Sequence, residues 1–229
     1  MPYNSHELIR VEDNRILRIA DVLTFLKINK VDGSLHYEFQ LSVGQHPITQ
    51  PELQELTRLP YEVALTEARG IVFLNTGNEH DMTIGNREYE ERRHRSKLSS
   101  HVHREQPDGR DESSVSFPDV LDTIFVSEGT PLLLVSPAGI LKYHAPRYNP
   151  FTHQEFRGDI LELSLKYIRT HAKNIPVMDI EEEIKISKQF ARDTKMIEQK
   201  VLWNNTPEIQ KMMDIINLTS QSLSPVTHG

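Results

Sequence analysis

The chain has 229 residues, with 26 Lys and Arg against 33 Asp and Glu, a formal net charge of −7 and no cysteine. That length holds one domain with extensions or two small ones. Without cysteine there is no disulfide framework, no Cys-ligated zinc or iron–sulfur site and no thiol nucleophile. MPYNSHELIRVEDNR lacks the basic segment and apolar core of a signal peptide, and no run reaches the ~18 apolar residues of a membrane span. The expectation is a cytoplasmic protein without a membrane partner, and the acidic balance weighs against a nucleic-acid partner.

Residues 1–15 are polar and carry no periodic signal. In ILRIADVLTFLKI, the residues Ile16, Ile19, Ala20, Leu23 and Leu26 recur at helical spacing. Asp32-Gly33 marks a turn, and SLHYEFQLSV alternates as a strand does. Thr49 and Pro51 open a helix over PELQELTRL, and YEVALTEA is read as further helix or turn. GIVFLNTG, bounded by Gly70 and Gly77, is an apolar run of strand length. Residues 78–96 are dense in charge and read as an exposed hairpin or loop, in which Glu88, Glu90 and Glu91 dilute the basic cluster around His94. KLSSHVH returns to strand, REQPDGRDES is a surface loop and SFPDVLDTIFVS starts a helix. PLLLVSP and ILKYHAP form a hairpin across Ala138-Gly139. GDILELSLKYIRTHA reads as helix, MDIEEEIKISKQFARDTKMIEQKVLW as one long helix, and Thr206-Pro207-Glu208 starts the last. The mixture of strands and helices without strict alternation implies an α+β fold, a mixed β-sheet flanked by helices.

Three of the chain's 11 histidines, His94, His101 and His103, fall within ten residues. His101 and His103 are two apart on a strand, so their imidazoles leave the same face and can converge on one ion. Ser116 and Asp119 follow in SFPD at a helix start, and Glu67 precedes them in EARGIVF. Two imidazoles and the Asp119 carboxylate are three zinc ligands with a fourth position left for water, as in catalytic sites. Zinc brings the pKa of such a water toward ~7. A nearby carboxylate, Glu67, takes its proton, and a hydroxyl, Ser116, supports the oxyanion. Ser116 and Asp119 also suit a helix N-cap and N3 pair, a role compatible with the first. A metal-dependent phosphoesterase also uses H-x-H, but His80, Asp81, His144 and His153 are organised by no second motif.

The order Glu, then H-x-H, then S-x-x-D resembles the JAMM (JAB1/MPN) metalloprotease signature. EARGIV resembles its E-x-x-G-hydrophobic segment, SSHVH its H-x-H strand, SFPD its S-x-x-D helix start, and VLDTIFVSEGTPLLLVSPAGILKYHAP its helix, strand and V-x-P-x-G hairpin. The resemblance covers residues 50–146; it departs from the family at Arg104, where a proline is usual, and in the long 104–115 loop. It implies a JAB/MPN-like, cytidine-deaminase-like architecture, with His101, His103 and Asp119 as Zn2+ ligands, Glu67 as acid/base and Ser116 as oxyanion support. The implied activity is hydrolysis of an amide or isopeptide bond in a protein or peptide, a ubiquitin-like conjugate among the substrates. The alternative is a non-catalytic MPN-type scaffold. The expected organisation is an N-terminal helix and strand over 1–48, a JAB/MPN-like core over 49–146 and a helical extension over 147–229 with a disordered tail, whose helices are candidates for homo-oligomer formation.

Overall fold

The structure, a computed structural model, describes residues 8–10, 17–28, 36–77, 98–104, 131–144, 162–163, 165–167, 170, 180–193 and 197–218. Among them, eight strands form one mixed sheet in the order β1-β2-β4-β3-β5-β6-β7-β8. These are β1 (Leu8–Arg10), β2 (His36–Leu41), β3 (Val63–Ala68), β4 (Ile71–Thr76), β5 (Ser99–Val102), β6 (Leu132–Ser136), β7 (Gly139–His144) and β8 (Ile197–Leu202). The β1–β2 and β5–β6 pairs are parallel and the others antiparallel. The helices are α1 (Ile19–Ile28), α2 (Gln50–Leu56), α3 (Ile180–Asp193) and α4 (Thr206–Ile216). The fold is thus α+β, a mixed sheet flanked by helices.

Local chemistry explains the element limits. Thr49 precedes α2 and donates its N–H to the Glu52 carboxylate at 2.8 Å, one arm of a capping box, and proline stands in the first turn. At the end of α4, Asn217 is buried, yet its carboxamide is satisfied. Its oxygen accepts from Ile48 N–H at 2.7 Å and its nitrogen donates to Ile48 C=O at 2.9 Å. That pair ties the last helix to the strand-like segment before α2.

The sheet buries its two faces differently. On one face, Phe39, Leu41, Val63, Leu65, Val72, Leu74, Val102, Leu133, Val135, Ile140 and Val201 join α1, α2 and α4 in the main core. Phe25 of α1 meets Phe39 edge-on at 5.4 Å and Tyr37 at 5.6 Å, contacts worth about 0.5–1.5 kcal/mol each beyond their burial. On the other face, Leu132, Leu134, Leu141 and Tyr143 pack with Phe190 and Ala191 of α3 in a smaller cluster. There Tyr167 donates its hydroxyl to Asp193 at 2.5 Å; burial, then the hydrogen bond and the negative charge beside it, push its pKa up to about 12.

Two expectations fail. YEVALTEA is not helix or turn: Val63–Ala68 is strand β3, paired along its length with β4. The hairpin closes through Arg69 (φ 56°) and Gly70 (φ 80°), between the paired Ala68 and Ile71. Two successive positive φ values in a two-residue loop are the type I′ geometry that matches strand twist. The stretch 178–203 is not one helix either. It is helical to Asp193, and Ile197–Leu202 is an edge strand on β7. Val201 is buried among the exposed Glu198, Gln199, Lys200 and Leu202, as suits a strand at the end of the sheet. The C-terminal region is therefore not a purely helical extension: β8 completes the sheet, and Ile209, Met212, Met213 and Ile216 of α4 lie in the main core.

Candidate metal and substrate site

Strand β5 carries the histidine pair into the middle of the sheet. It lies between β3 and β6, with His101 opposite Ala64 on one side and Leu134 on the other. The chain leaves β5 with His103 N–H donating to Val135 C=O at 2.8 Å, so pairing extends past the strand's last residue. His101 is half-buried and His103 buried. Their rings lie 5.1 Å apart, centroid to centroid, at an interplanar angle of 13°. An ion about 2.0–2.1 Å from one nitrogen of each ring, in a tetrahedral setting, separates such centroids by roughly 5 Å. The spacing fits two imidazoles on one ion; the near-parallel planes mean that the rings must turn toward each other to address it. Arg104, where the resembled family has proline, donates from Nη1 to Pro60 C=O at 3.3 Å and links the exit of β5 to the approach of β3.

Glu67 is not beside this pair. Alternation along β3 places it with Val63 and Leu65 on the main-core side, whereas His101 is in register with Ala64 on the opposite side. It also stands three positions from Ala64, toward the hairpin. Its carboxylate is buried and accepts the Gly70 N–H at 2.6 Å, which fastens the type I′ turn.

A different glutamate stands in register with the pair. Val63 is paired with Val102, so one further step sets Glu62 opposite His103 on the histidine side. The pairing does continue that far on the other edge of β3, where Gly77 N–H donates to Glu62 C=O at 2.8 Å. Glu62 is half-buried. It was hidden in the sequence by the helical reading of YEVALTEA; once VAL is a strand, Glu62 becomes the carboxylate at its mouth.

Ser116 and Asp119 lie outside the described residues, as do His94 and nearly all of the 104–115 loop. Among the described residues no three His, Asp or Glu side chains form a group able to hold a metal ion. His101 and His103 therefore stand as two imidazoles on one face, with no third His, Asp or Glu grouped with them among the described residues.

The histidine face continues inward as a polar surface. Glu38, Asn75, Ala64 and His101 stand in register across β2, β4, β3 and β5, and Thr66 is one step along the same face from Ala64. Glu38, Asn75 and Thr66 are all buried. The sequence hint was slight: one Asn near the end of the apolar run IVFLNT and one Thr within VALTEA.

Comparison with known proteins gives no match: no family model fits the chain, and no curated protein or solved structure is similar to it.

Proposed function

We propose that this chain is a zinc-dependent hydrolase of amide or isopeptide bonds with a JAB/MPN-like core. The observation that carries the reading is the side-by-side placement of His101 and His103 on one sheet face, at the spacing of two ligands on one ion, with Glu62 in register beside them. The order of elements supports it as well: helix α2, the β3–β4 hairpin, the histidine strand, then the β6–β7 hairpin with its Ser136-Pro137-Ala138-Gly139 turn.

In this reading His101, His103 and Asp119 hold the ion. Zinc, when bound, supplies a water acidic enough to act as hydroxide near neutral pH. Glu62, rather than Glu67, would serve as the acid/base that takes a proton from the attacking water and gives it to the leaving amine, a role suited to a carboxylate that is half open to solvent. Ser116 donates to the oxyanion on the attacked carbonyl. Strands β3 and β5 fix Glu62 and the imidazoles relative to one another through main-chain pairing, so the acid/base and the ligands are set before substrate arrives.

Elemental analysis of the purified chain tests this. The expected result is about one zinc per chain. His101→Ala with His103→Ala, and separately Asp119→Ala, lose it while the fold remains. A folded wild-type chain that takes up no zinc overturns the hydrolase reading and favours the scaffold.

A further inference from the structure

The sheet ends at β8: β7 takes one of its edges, and among the described residues no strand lies beyond the other. The direction of the main-chain groups along β8 follows from one close approach. Val201 C=O faces β7, since a Cβ on Gly139 of that strand falls 2.1 Å from it. In an antiparallel strand successive residues turn their N–H and C=O to alternate edges. Val201 and Gln199 therefore bond toward β7, and Glu198, Lys200 and Leu202 turn theirs outward. Leu202 agrees with this: its C=O leaves the ladder and accepts Asn205 N–H at 2.9 Å. The outward edge thus runs from Glu198 to Lys200, and Glu198, Gln199 and Lys200 are all exposed. Leu202, 49% exposed, stands at its end.

Such an edge is a template for another strand, and its charges select which one. Glu198 and Lys200 lie two apart and share a face. A second copy that continues the sheet antiparallel is related by a two-fold axis perpendicular to it, which keeps each face on its own side. The residue on the axis then meets itself, and the axis can fall on Glu198, Gln199 or Lys200. On Glu198 it sets carboxylate against carboxylate, and on Lys200 ammonium against ammonium. On Gln199 it sets Glu198 of each copy opposite Lys200 of the other, about 5.5 Å apart between Cα atoms, in the pair type that exchanges both main-chain hydrogen bonds. Lys200 also interacts within its own chain. An ammonium has three donors, so it can take a second carboxylate as well. The edge is therefore complementary to itself in one register and repelled in its neighbours, and its charges turn away strands that lack the matching pair.

We propose that β8 is the interface of a homodimer, in which the sheets of two copies join edge to edge across a two-fold axis at Gln199. The strand makes the contact, where the sequence pointed to the C-terminal helices. The contact is a single strand pair, smaller than the ~1,200 Å² at which standard interfaces begin, so the dimer is weak, with a Kd on the order of 100 µM. It rests on neither zinc nor the hydrolase reading.

The test is sedimentation equilibrium of the full chain from about 10 µM to about 1 mM, with amide exchange by NMR at both ends of that range. The expected result is a reversible monomer–dimer equilibrium. Glu198→Lys and Lys200→Glu each weaken it about tenfold or more, because each turns two opposite-charge pairs into like-charge pairs. An equimolar mixture of the two variants associates again to within a few-fold of wild type, since one chain is doubly positive at this edge and the other doubly negative. In wild type the Glu198 and Lys200 amides exchange more slowly at the higher concentration, whereas those of Gln199 and Val201, already bonded to β7, do not change. That readout needs no variant. A chain that stays monomeric to about 1 mM overturns the proposal. Association that neither variant weakens, a mixture no stronger than its parts, or growth beyond the dimer overturns it equally.

Discussion

Exchanging Glu62 and Glu67 one at a time separates a structural carboxylate from a chemical one. Glu67 accepts the Gly70 N–H at 2.6 Å, a hydrogen bond to a charged group, worth about 1.5–3 kcal/mol in general. Gly70 is exposed, so water replaces the carboxylate once it is removed. Glu67 is 7% exposed, so folding also bears the desolvation of its charge. Both corrections push toward the low end, and Glu67→Ala should cost about 1–2 kcal/mol. At a urea m-value of ~2–3 kcal/mol/M the midpoint falls by roughly 0.5 M. Trp203 is the chain's sole tryptophan, and its Nε1 donates to Ser136 and Pro137 C=O at 3.1 and 3.0 Å, so its fluorescence reports unfolding of the β6–β7 turn region. Glu62→Gln, at a half-buried position, should move the midpoint by under ~0.5 kcal/mol equivalent. In zinc-loaded protein incubated with a mixed peptide pool and read by mass spectrometry, the pattern inverts. Glu62→Gln loses cleavage by about 10²–10⁴, and Glu67→Ala retains it when assayed below its own melting range. Loss of cleavage in a stable Glu67→Ala, with full cleavage by Glu62→Gln, would refute the register argument.

Other substitutions probe the frame. Arg69→Asn puts Asn-Gly into the type I′ turn and should raise stability by about 0.5–1 kcal/mol, whereas Gly70→Ala, at φ 80°, should lower it by about 1–2 kcal/mol; paired urea curves decide both. A Cβ on Gly139 falls 2.1 Å from Val201 C=O, so Gly139→Ala must displace the β7–β8 backbone, and a loss above ~2 kcal/mol in the same assay is expected. Asn217→Ala leaves Ile48 N–H and C=O unmet in the interior and should cost about 2–4 kcal/mol; a cost near zero would mean that α4 is not anchored through this pair. Glu55 is held below its usual carboxylate range by the Lys27 ammonium at 2.6 Å and then by Arg58. Its folded pKa is lowered, so its contribution exists above the unfolded value and fades as pH falls through the folded one. Glu55→Gln should cost about 0.5 kcal/mol or less at neutral pH, shrinking in acid and in salt.

How much of this was legible in the sequence depended on what fixed each element. Helix α1, strands β2 and β4, the β6–β7 hairpin and the start of α4 carry their own signals: apolar period, turn residues, a proline in the first turn. Val63–Ala68 does not. Its Ala, Leu and Glu favour helix, and it becomes strand because β4 and β5 flank it on both edges, a long-range cause that no local window contains. The Arg69-Gly70 turn is equally quiet, since arginine is not a usual residue at positive φ. Ile197–Leu202 was lost the same way, absorbed into the charged helix before it until β7 gave it a partner. That His101 and His103 share a face was legible because two residues apart on one strand is a local relation. Which glutamate stands in register with His103 was not, because it depends on the pairing between two strands, and a shift in reading moves every side chain to the other face.

The two faces of the sheet then divide the work. The main-core side is built of Val, Leu and Ile against three helices, and the carboxyl that enters it, that of Glu67, is bound to the turn it closes. The histidine side holds, beside the Leu132, Leu134 and Leu141 cluster, a buried glutamate, two imidazoles and, among the described residues, a carboxamide with no partner. Apolar residues of the same size at Asn75 and Thr66 would carry no unmet group, so local rules of folding are broken at these two positions in register beside Ala64.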